Sequence, residues 1–142
     1  MKLDLGDGYE VDDDRDRVDV DAVHEFLTEV YWAIGRSHEV VADILRTSAR
    51  VVGVYHHGAQ IGYARVLSDR HTTAYLADVY VLPEHRGRGL GTALVGHAVD
   101  GDPQLQPLKW MLHTRDWHVL YRKFGFHEPD MKYLERGPLP AS

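Results

Sequence analysis

The run AYLADVYVLPEHRGRGLGTALVGHAV, residues 74–99, contains the patterns that decide the fold of this chain. Residues 75–82 are apolar or aromatic apart from Asp78, which is typical of a strand buried on both faces, and Pro83 ends it because proline cannot donate to a β-ladder. A four-residue spacing then follows at Leu90, Leu94 and Ala98. That spacing indicates one face of a helix, so the run predicts a strand, a loop and a helix in that order.

The loop of this unit has the composition of an anion site. Its glycines and arginines are Arg86, Gly87, Arg88, Gly89 and Gly91. A helix N-terminus leaves unpaired N–H groups, glycine allows close approach, and arginine favours phosphate or pyrophosphate. Two common nucleotide motifs are absent, because the chain has no G-x-x-x-x-G-K-[S/T] run and Leu94 stands where a G-x-G-x-x-G motif needs its third glycine.

The spacing of Arg86, Gly89 and Gly91 resembles the R/Q-x-x-G-x-G/A motif of the GCN5-related N-acetyltransferases, the GNAT family, which also has a strand before it and a helix after it. In that family the loop holds the pyrophosphate of acetyl-coenzyme A. The resemblance implies a set of coenzyme contacts at Arg86, Gly87, Arg88, Gly89, Gly91 and Thr92. Taken alone, the loop also fits a tight turn without a ligand.

A second motif lies further along the chain. Residues 120–126, LYRKFGF, resemble the L-Y-x-K-x-G-F run of the same family, in which the helical tyrosine faces the coenzyme sulfur. A short helix over residues 117–124 is predicted, closed by Gly125 in a left-handed conformation. The resemblance implies that Tyr121 is the general acid that protonates the departing thiolate. The alternative is that Tyr121 is only a buried aromatic residue.

The likeness extends over residues 20–134 and indicates a branch of small bacterial-type members. The matching segments are Tyr31-Trp32, Gly35-Arg36, Ala64-Arg65-Val66, Asp69, 75–81 and 114–121. Three residues depart from the usual pattern of the family or of this branch: Thr114, Trp117 and Val119. The last two predict a narrower coenzyme or substrate side for the short helix.

Hydrophobic periodicity predicts the remaining elements. A first helix has its apolar positions at Val20, Val23, Leu27, Val30 and Ile34, and a second at Val40, Val41, Ile44 and Leu45. Asp19 and Ser37 are the expected N-caps, and the first helix should end near Gly35. Strands are expected over residues 8–11, 50–55, 60–67, 73–82 and 108–114. The fold class is α/β (α+β), and the resemblance implies a mixed, mostly antiparallel sheet of about six or seven strands flanked by about four helices.

Composition limits the classes of protein that this chain can represent. With 142 residues, no cysteine and no apolar run of about 20 residues, we expect one soluble, cytoplasmic domain without a membrane partner. Residues 1–21 hold nine acidic and three basic residues and so account for the net charge of −6. We expect residues 1–17 to be solvated or frayed. The sequence has no basic stripe of the kind that nucleic-acid-binding proteins usually show, so we expect no nucleic-acid partner. Histidine spacing predicts no metal site.

The chemistry of acetyl transfer assigns further roles. Asp78 is the expected proton acceptor, directly or through water, although a carboxylate paired with an arginine is the alternative. The Val79 N–H would polarise the carbonyl, and the main chain of Val79 and Val81 would pair with the pantetheine amides. Arg65 is either a solvated edge residue or a charge that faces a site. The candidate substrate-binding residues are Trp32, Arg36 and Arg65.

The substrate is the least determined part of the prediction. Asp78, Asp69 and Asp116 favour a cation, whereas the substrate arginines could hold a carboxylate, which together indicate an amino-acid-like or aromatic amine. The expected function is thus acetyl-coenzyme A-dependent N-acetylation of a small amine. The alternatives are a protein or peptide N-acetyltransferase and a non-catalytic coenzyme-binding module, and a homodimer is compatible with the sequence.

Overall fold

The computed structural model describes residues 1–30, 33, 35–130 and 132–138. Within these residues the strands are β1 (Lys2–Gly6), β2 (Tyr9–Asp12), β3 (Arg50–His56), β4 (Ala59–Ser68), β5 (Thr73–Val81) and β6 (Lys109–Met111). The α-helices are α1 (Val20–Leu27), α2 (His38–Thr47), α3 (Leu90–Asp100) and α4 (His118–Arg122). Single 3-10 turns occupy Arg15–Arg17 and Pro83–His85. No helix in this part of the chain is long and apolar enough to cross a bilayer.

The six strands form one sheet in the order of the chain, β1-β2-β3-β4-β5-β6. All neighbours are antiparallel except β5 and β6, which are parallel and connected through α3. This confirms the mixed, mostly antiparallel sheet. The β5–β6 pairing covers Thr73 to Tyr75 on β5 only, so the two strands part where the rest of β5 continues to Val81.

The core lies on both faces of the sheet because successive strand residues point to opposite sides. On one face, Val52 and Val54 belong to a cluster that includes the α3 residues Leu94 and Val95. On the other, Val51 packs in a second cluster with residues from the first two helices. Those helical residues are Val23, Leu27 and Val41. The helices therefore cover a sheet whose central strands are buried on both sides.

The predicted caps of the first two helices are confirmed. The Asp19 carboxylate accepts from the Ala22 N–H, and the Ser37 hydroxyl accepts from the Val40 N–H. The first helix ends at Leu27, however, and not near Gly35 as expected. Beyond it the backbone takes tighter turn bonds, and the Thr28 hydroxyl donates to the Glu25 carbonyl, a side-chain contact that competes with helix continuation.

The frayed state expected for residues 1–17 is wrong, because this segment contributes β1 and β2 to the sheet, whereas the solvated alternative describes residues 1–8, which are exposed. The short strand expected over residues 8–11 is β2, in which Val11 is fully buried and pairs with Val54 on β3. Arg17 binds two of the acids, Glu10 at 2.7 Å and Asp12 at 3.1 Å. Arg17 thus compensates the charge of two acids that the composition alone predicts to be solvated.

Asp13 forms an ion pair with an arginine that is itself buried. Its carboxylate accepts from the buried Arg50 side chain at 2.9 Å and from the N-terminal ammonium of Met1. Partial burial of Asp13 opposes ionisation, but these two hydrogen bonds outweigh it and lower the pKa of Asp13 below its ordinary 3.8. The stabilisation is therefore present above about pH 3.8 and is lost as the pH falls below that value.

Asp13→Asn should lower the free energy of unfolding at pH 7 by about 1–3 kcal/mol, because it leaves the Arg50 charge without its carboxylate. Urea unfolding measures this change. Asp16→Asn is the control, since it removes the same charge from an exposed position in the same segment. Equal stability of the two variants at pH 7 would contradict the ordered acidic segment.

Candidate active site

The parting of β5 and β6 opens a cavity of about 430 Å³. Its walls come from the first helix and the turn after it, from β4 and β5, from the loop before α3, and from the segment that leads into α4. The lining residues are Phe26, Val30, Arg36, Arg65, Tyr75, Leu76, Ala77, Asp78, Val79, Tyr80, Arg86, His113, Thr114, Arg115, Asp116, Trp117 and Tyr121. Within the described residues, the structure therefore gathers six of the thirteen expected site residues around one space, namely Arg36, Arg65, Asp78, Val79, Arg86 and Tyr121.

A β-bulge shapes the middle of β5. Arg65 on β4 pairs with Ala77 and Tyr63 pairs with Tyr80, so Asp78 and Val79 together stand opposite a single β4 residue. Asp78 has a φ of 55°, a left-handed conformation that aspartate adopts more readily than most residues. A bulge interrupts the ladder locally, which makes main-chain groups available to a ligand. This geometry is compatible with the contact expected of Val79.

Asp78 is the electrostatic centre of the cavity. Its side chain is only 2% exposed, and Oδ2 accepts from Arg36 Nη1 at 2.7 Å and from Arg65 Nε at 2.6 Å. Arg65 is therefore not a solvated edge residue, since it contacts a buried acid and its own side chain is 11% exposed. The arginine-paired carboxylate considered for Asp78 is present. The third substrate candidate, Trp32, lies outside the described residues.

The glycine loop leads into α3 through two left-handed residues. Gly87 has a φ of 81° and Gly89, the N-cap of α3, a φ of 78°, and a Cβ added at either would meet no heavy atom within 4 Å. Gly91 is different, because a Cβ there would make an ordinary contact with Leu120 at 3.7 Å. Backbone conformation thus explains the first two glycines, and the open space beside them fits phosphate oxygens that a side chain would obstruct.

The two arginines of the loop lie on different sides. Arg86 lines the cavity and donates through Nε to the Val81 carbonyl at 2.9 Å. Arg88 lies outside it, with its guanidinium 5.7 Å from the ring centre of Tyr9. The carbonyl of Val81 is thus already an acceptor, so the coenzyme contact expected of Val81 stays a prediction. Thr92 is exposed in the first turn of α3.

Tyr121 enters the cavity wall from α4. It is buried, its ring meets Phe126 edge-on with centroids 5.9 Å apart, and Gly125 closes the helix at a φ of 88° as expected. Burial raises the pKa of the Tyr121 hydroxyl above its ordinary 10.0, because an ionised phenolate would be poorly solvated. The hydroxyl therefore keeps its proton at neutral pH, as a proton donor must.

Two further expectations about the site are wrong. Val119 is 77% exposed and absent from the cavity wall, so it does not narrow the site, whereas Trp117 does form part of that wall. Asp69 is not in the cavity, because its carboxylate accepts from the N–H groups of His71 and Thr72 and closes the turn between β4 and β5.

Sequence reasoning missed one aromatic contact and one polar chain. Phe26 stacks on Tyr80 with ring centroids 3.9 Å apart, which gives the cavity an apolar side. The Tyr75 hydroxyl forms a hydrogen bond of 2.6 Å with His113, which also contacts Glu135 at 3.0 Å. The parallel pairing of Tyr75 with Met111 brings His113 to this position, and the sequence carries no local signal for that pairing. Among the described residues, no group of three or more histidines and acids is arranged to hold a metal.

Comparison with known proteins agrees with this arrangement. The model of the acetyltransferase (GNAT) domain matches residues 47–128. The chain is 35% identical to the peptidyl-lysine N-acetyltransferase YjaB of Salmonella typhimurium, over 78% of this chain and 70% of that protein. It is 29% identical to a protein of Gibberella zeae named as an acetyltransferase, over 84% of this chain and 80% of the relative.

Solved structures give the same result. A Xanthomonas campestris protein assigned to the GNAT family has a TM-score of 0.85 and 37% identity, and the match covers 92% of this chain and 93% of that one. GNAT enzymes generally take the acyl group from acetyl-coenzyme A. The family model, the relatives and the fold all agree with the glycine loop and the tyrosine helix described above, and the chain belongs to the GNAT family of N-acetyltransferases.

Proposed function

We propose that this enzyme transfers the acetyl group of acetyl-coenzyme A to the primary amine of a small molecule. The observation that carries the proposal is that one cavity joins the glycine-loop arginine, the bulged strand and the tyrosine helix to a charged recess. The charged recess comprises Arg36, Arg65 and Asp78, and an aromatic pair stands beside it. A polar amine with an apolar body fits such a space.

The loop before α3 supports a coenzyme assignment. The space beside Gly87 and Gly89 would take the pyrophosphate against the N-terminus of α3, with Arg86 close by. The bulged edge of β5 at Val79 would offer main-chain groups to the pantetheine amides and the acetyl carbonyl. Acetyl-coenzyme A, when bound, supplies the acetyl group as an activated thioester.

The protein must then move two protons. Tyr121 holds a proton on its hydroxyl oxygen and would donate it to the departing thiolate. A thiol titrates at about 8.5 in water and tyrosine at about 10, and burial raises the pKa of Tyr121 further, so Tyr121 still carries its proton at a pH where a free thiolate forms. Proton acceptance from the ammonium is assigned to Asp78 or to a water beside it.

One relative favours a second candidate. Because YjaB is named as a peptidyl-lysine N-acetyltransferase and is 35% identical to this chain, lysine side chains of proteins are the alternative acceptor. A peptide lysine presents an ammonium at the end of a long stem with no anionic group beside it. Such an acceptor therefore has no anionic group to pair with the two guanidinium groups of the charged recess.

A panel of amines, amino acids and lysine peptides assayed for thiol release tests the proposal. We expect turnover of at least one small amine with a kcat/KM at least tenfold above that of any peptide. Turnover of peptides alone would contradict the small-molecule proposal and support the second candidate, acetylation of lysine side chains of proteins.

Gly89→Ala should weaken acetyl-coenzyme A binding by about tenfold or more, because a Cβ would occupy the space proposed for the pyrophosphate and disturb its charge-assisted hydrogen bonds. Isothermal titration calorimetry measures the affinity. The left-handed backbone makes the change cost about 1–2 kcal/mol of stability as well. Gly58→Ala is the matched control, since its φ is also left-handed at 86° and its added Cβ is equally unobstructed. If both variants kept the affinity, the loop would not bind the coenzyme.

Tyr121→Phe should lower kcat by about 10²–10⁴-fold, the usual contribution of general acid catalysis, because only the hydroxyl is removed. Coenzyme affinity and Tm should stay close to those of the parent. The raised pKa of Tyr121 places the alkaline fall in rate above pH 10, and the variant should lack that limb. Tyr133→Phe, at an exposed position, is the control. A loss below about threefold would assign Tyr121 to packing.

A further inference from the structure

The recess at Asp78 carries more positive charge than its own acid balances. Two guanidinium groups, from Arg36 and Arg65, meet one carboxylate, so the trio carries a formal charge of +1. Burying such an excess without an anion is costly, and the carboxylate can serve only as a partial complement. The recess is therefore set up to receive a negatively charged group.

The donor inventory leads to the same conclusion. A guanidinium has five N–H groups, and the contacts with Asp78 use one of them on each arginine: Nη1 of Arg36 and Nε of Arg65. Within residues 1–30, 33, 35–130 and 132–138, these single-atom contacts leave the remaining side-chain donors of each fork for another acceptor. Planar forks of this kind match a carboxylate in a two-point contact.

Asp78 also fixes where those donors are. It is held at the bulge in a left-handed conformation, and its Oδ2 lies within 2.7 Å of both arginines. Arg36 follows the first helix and Arg65 lies on β4, so one buried oxygen connects two separate elements. Asp78 is thereby a positioning residue that sets the relative placement of two arginines.

We infer that the acceptor is an amine that also carries a carboxylate, a free amino acid, and that Arg36 and Arg65 bind this carboxylate while Asp78 positions them. The inference rests on the proposed function and names its substrate class. The apolar side formed by Phe26 and Tyr80 lines the same cavity and suits an aromatic or aliphatic amino-acid side chain. No bond is formed or broken in this recognition, so it adds only binding energy to the transfer step.

L-phenylalanine and 2-phenylethylamine test the inference because they differ only in the carboxylate. The parent enzyme should acetylate phenylalanine with a kcat/KM about 10- to 100-fold above that of phenylethylamine, the range of a charge-assisted hydrogen-bonded pair. In Arg36→Gln this ratio should fall close to one, mainly through KM for phenylalanine. A parent ratio at or below one, or a ratio unchanged in Arg36→Gln, overturns the inference.

Arg46→Gln is the matched control. Arg46 is an exposed arginine on α2 that pairs with Asp43, and its substitution should leave the ratio as in the parent. Arg65→Lys is the second variant, because it keeps a cation beside the buried Asp78 while it removes the planar fork. Loss of the ratio in Arg65→Lys with an unchanged Tm assigns the effect to carboxylate recognition; an unchanged ratio in Arg65→Lys refutes the two-arginine contact.

Asp78→Asn separates the positioning role from proton acceptance. If Asp78 only positions the arginines, the variant should raise KM for phenylalanine. The pH at which kcat falls to half its maximum on the acid side should not change. A fall in kcat with loss of the acid limb and an unchanged KM would overturn positioning and return Asp78 to the role of base.

A binding measurement separates this inference from the proposed function. Calorimetry in the presence of coenzyme A should show tighter binding of N-acetyl-L-phenylalanine than of N-acetyl-2-phenylethylamine, with the difference abolished in Arg36→Gln. If that holds while no amine is acetylated, carboxylate recognition stands and the proposed function fails. If the two products bind equally while small amines are acetylated, the proposed function stands and the inference fails.

Discussion

A buried carboxylate needs a positive partner, and at residue 78 this requirement links separate parts of the molecule. Asp78 is among the least exposed acids of the described chain, and its oxygen joins Arg36, which follows α1, to Arg65 on β4. Removing either arginine would leave part of a buried charge uncompensated, which is among the costliest changes available to a small domain. The walls of the cavity are therefore held in place by ion pairs in addition to apolar packing.

The second constraint is the parting of two parallel strands. The β5–β6 ladder ends after Tyr75. Beyond that residue, the edge of β5 that faced β6 borders a cavity instead of a neighbouring strand. A strand edge in the interior of a fold would normally leave unpaired main-chain groups, which natural proteins pair or cover. The coenzyme that we propose for this site carries pantetheine amides, which are the kind of group that such an edge can pair with.

Much of the fold could be read from the sequence because its signals are local. The strand before Pro83, the caps at Asp19 and Ser37 and the left-handed Gly125 depend on residues within a few positions of each other. β1 also has a local signal, which the prediction missed: Asp7 and Gly8, at φ of 54° and 82°, form the two-residue turn that leads into β2. All five residues of β1 are exposed, so burial adds no alternation to that signal.

The site was predicted in part. The motifs predicted Arg86 and Tyr121, which both line the cavity, and Gly89, which caps α3. Pairings between distant residues were not readable, as for Asp78 with its two arginines, because the bulge in β5 and the turn after α1 determine them. Arg88 could not be separated from Arg86 by sequence, since alternate positions in a loop with left-handed glycines do not keep the regular alternation of a strand.

The strand order has a consequence for how the protein folds. The pairs β1–β2, β3–β4 and β4–β5 are antiparallel strands joined by short turns, whereas β2 pairs with β3 across α1 and α2. β6 is parallel to β5 and can join only after α3 has crossed the sheet. During synthesis from the N-terminus, the antiparallel platform therefore emerges first. The catalytic cavity is assembled last, when residues 109–122 have left the ribosome.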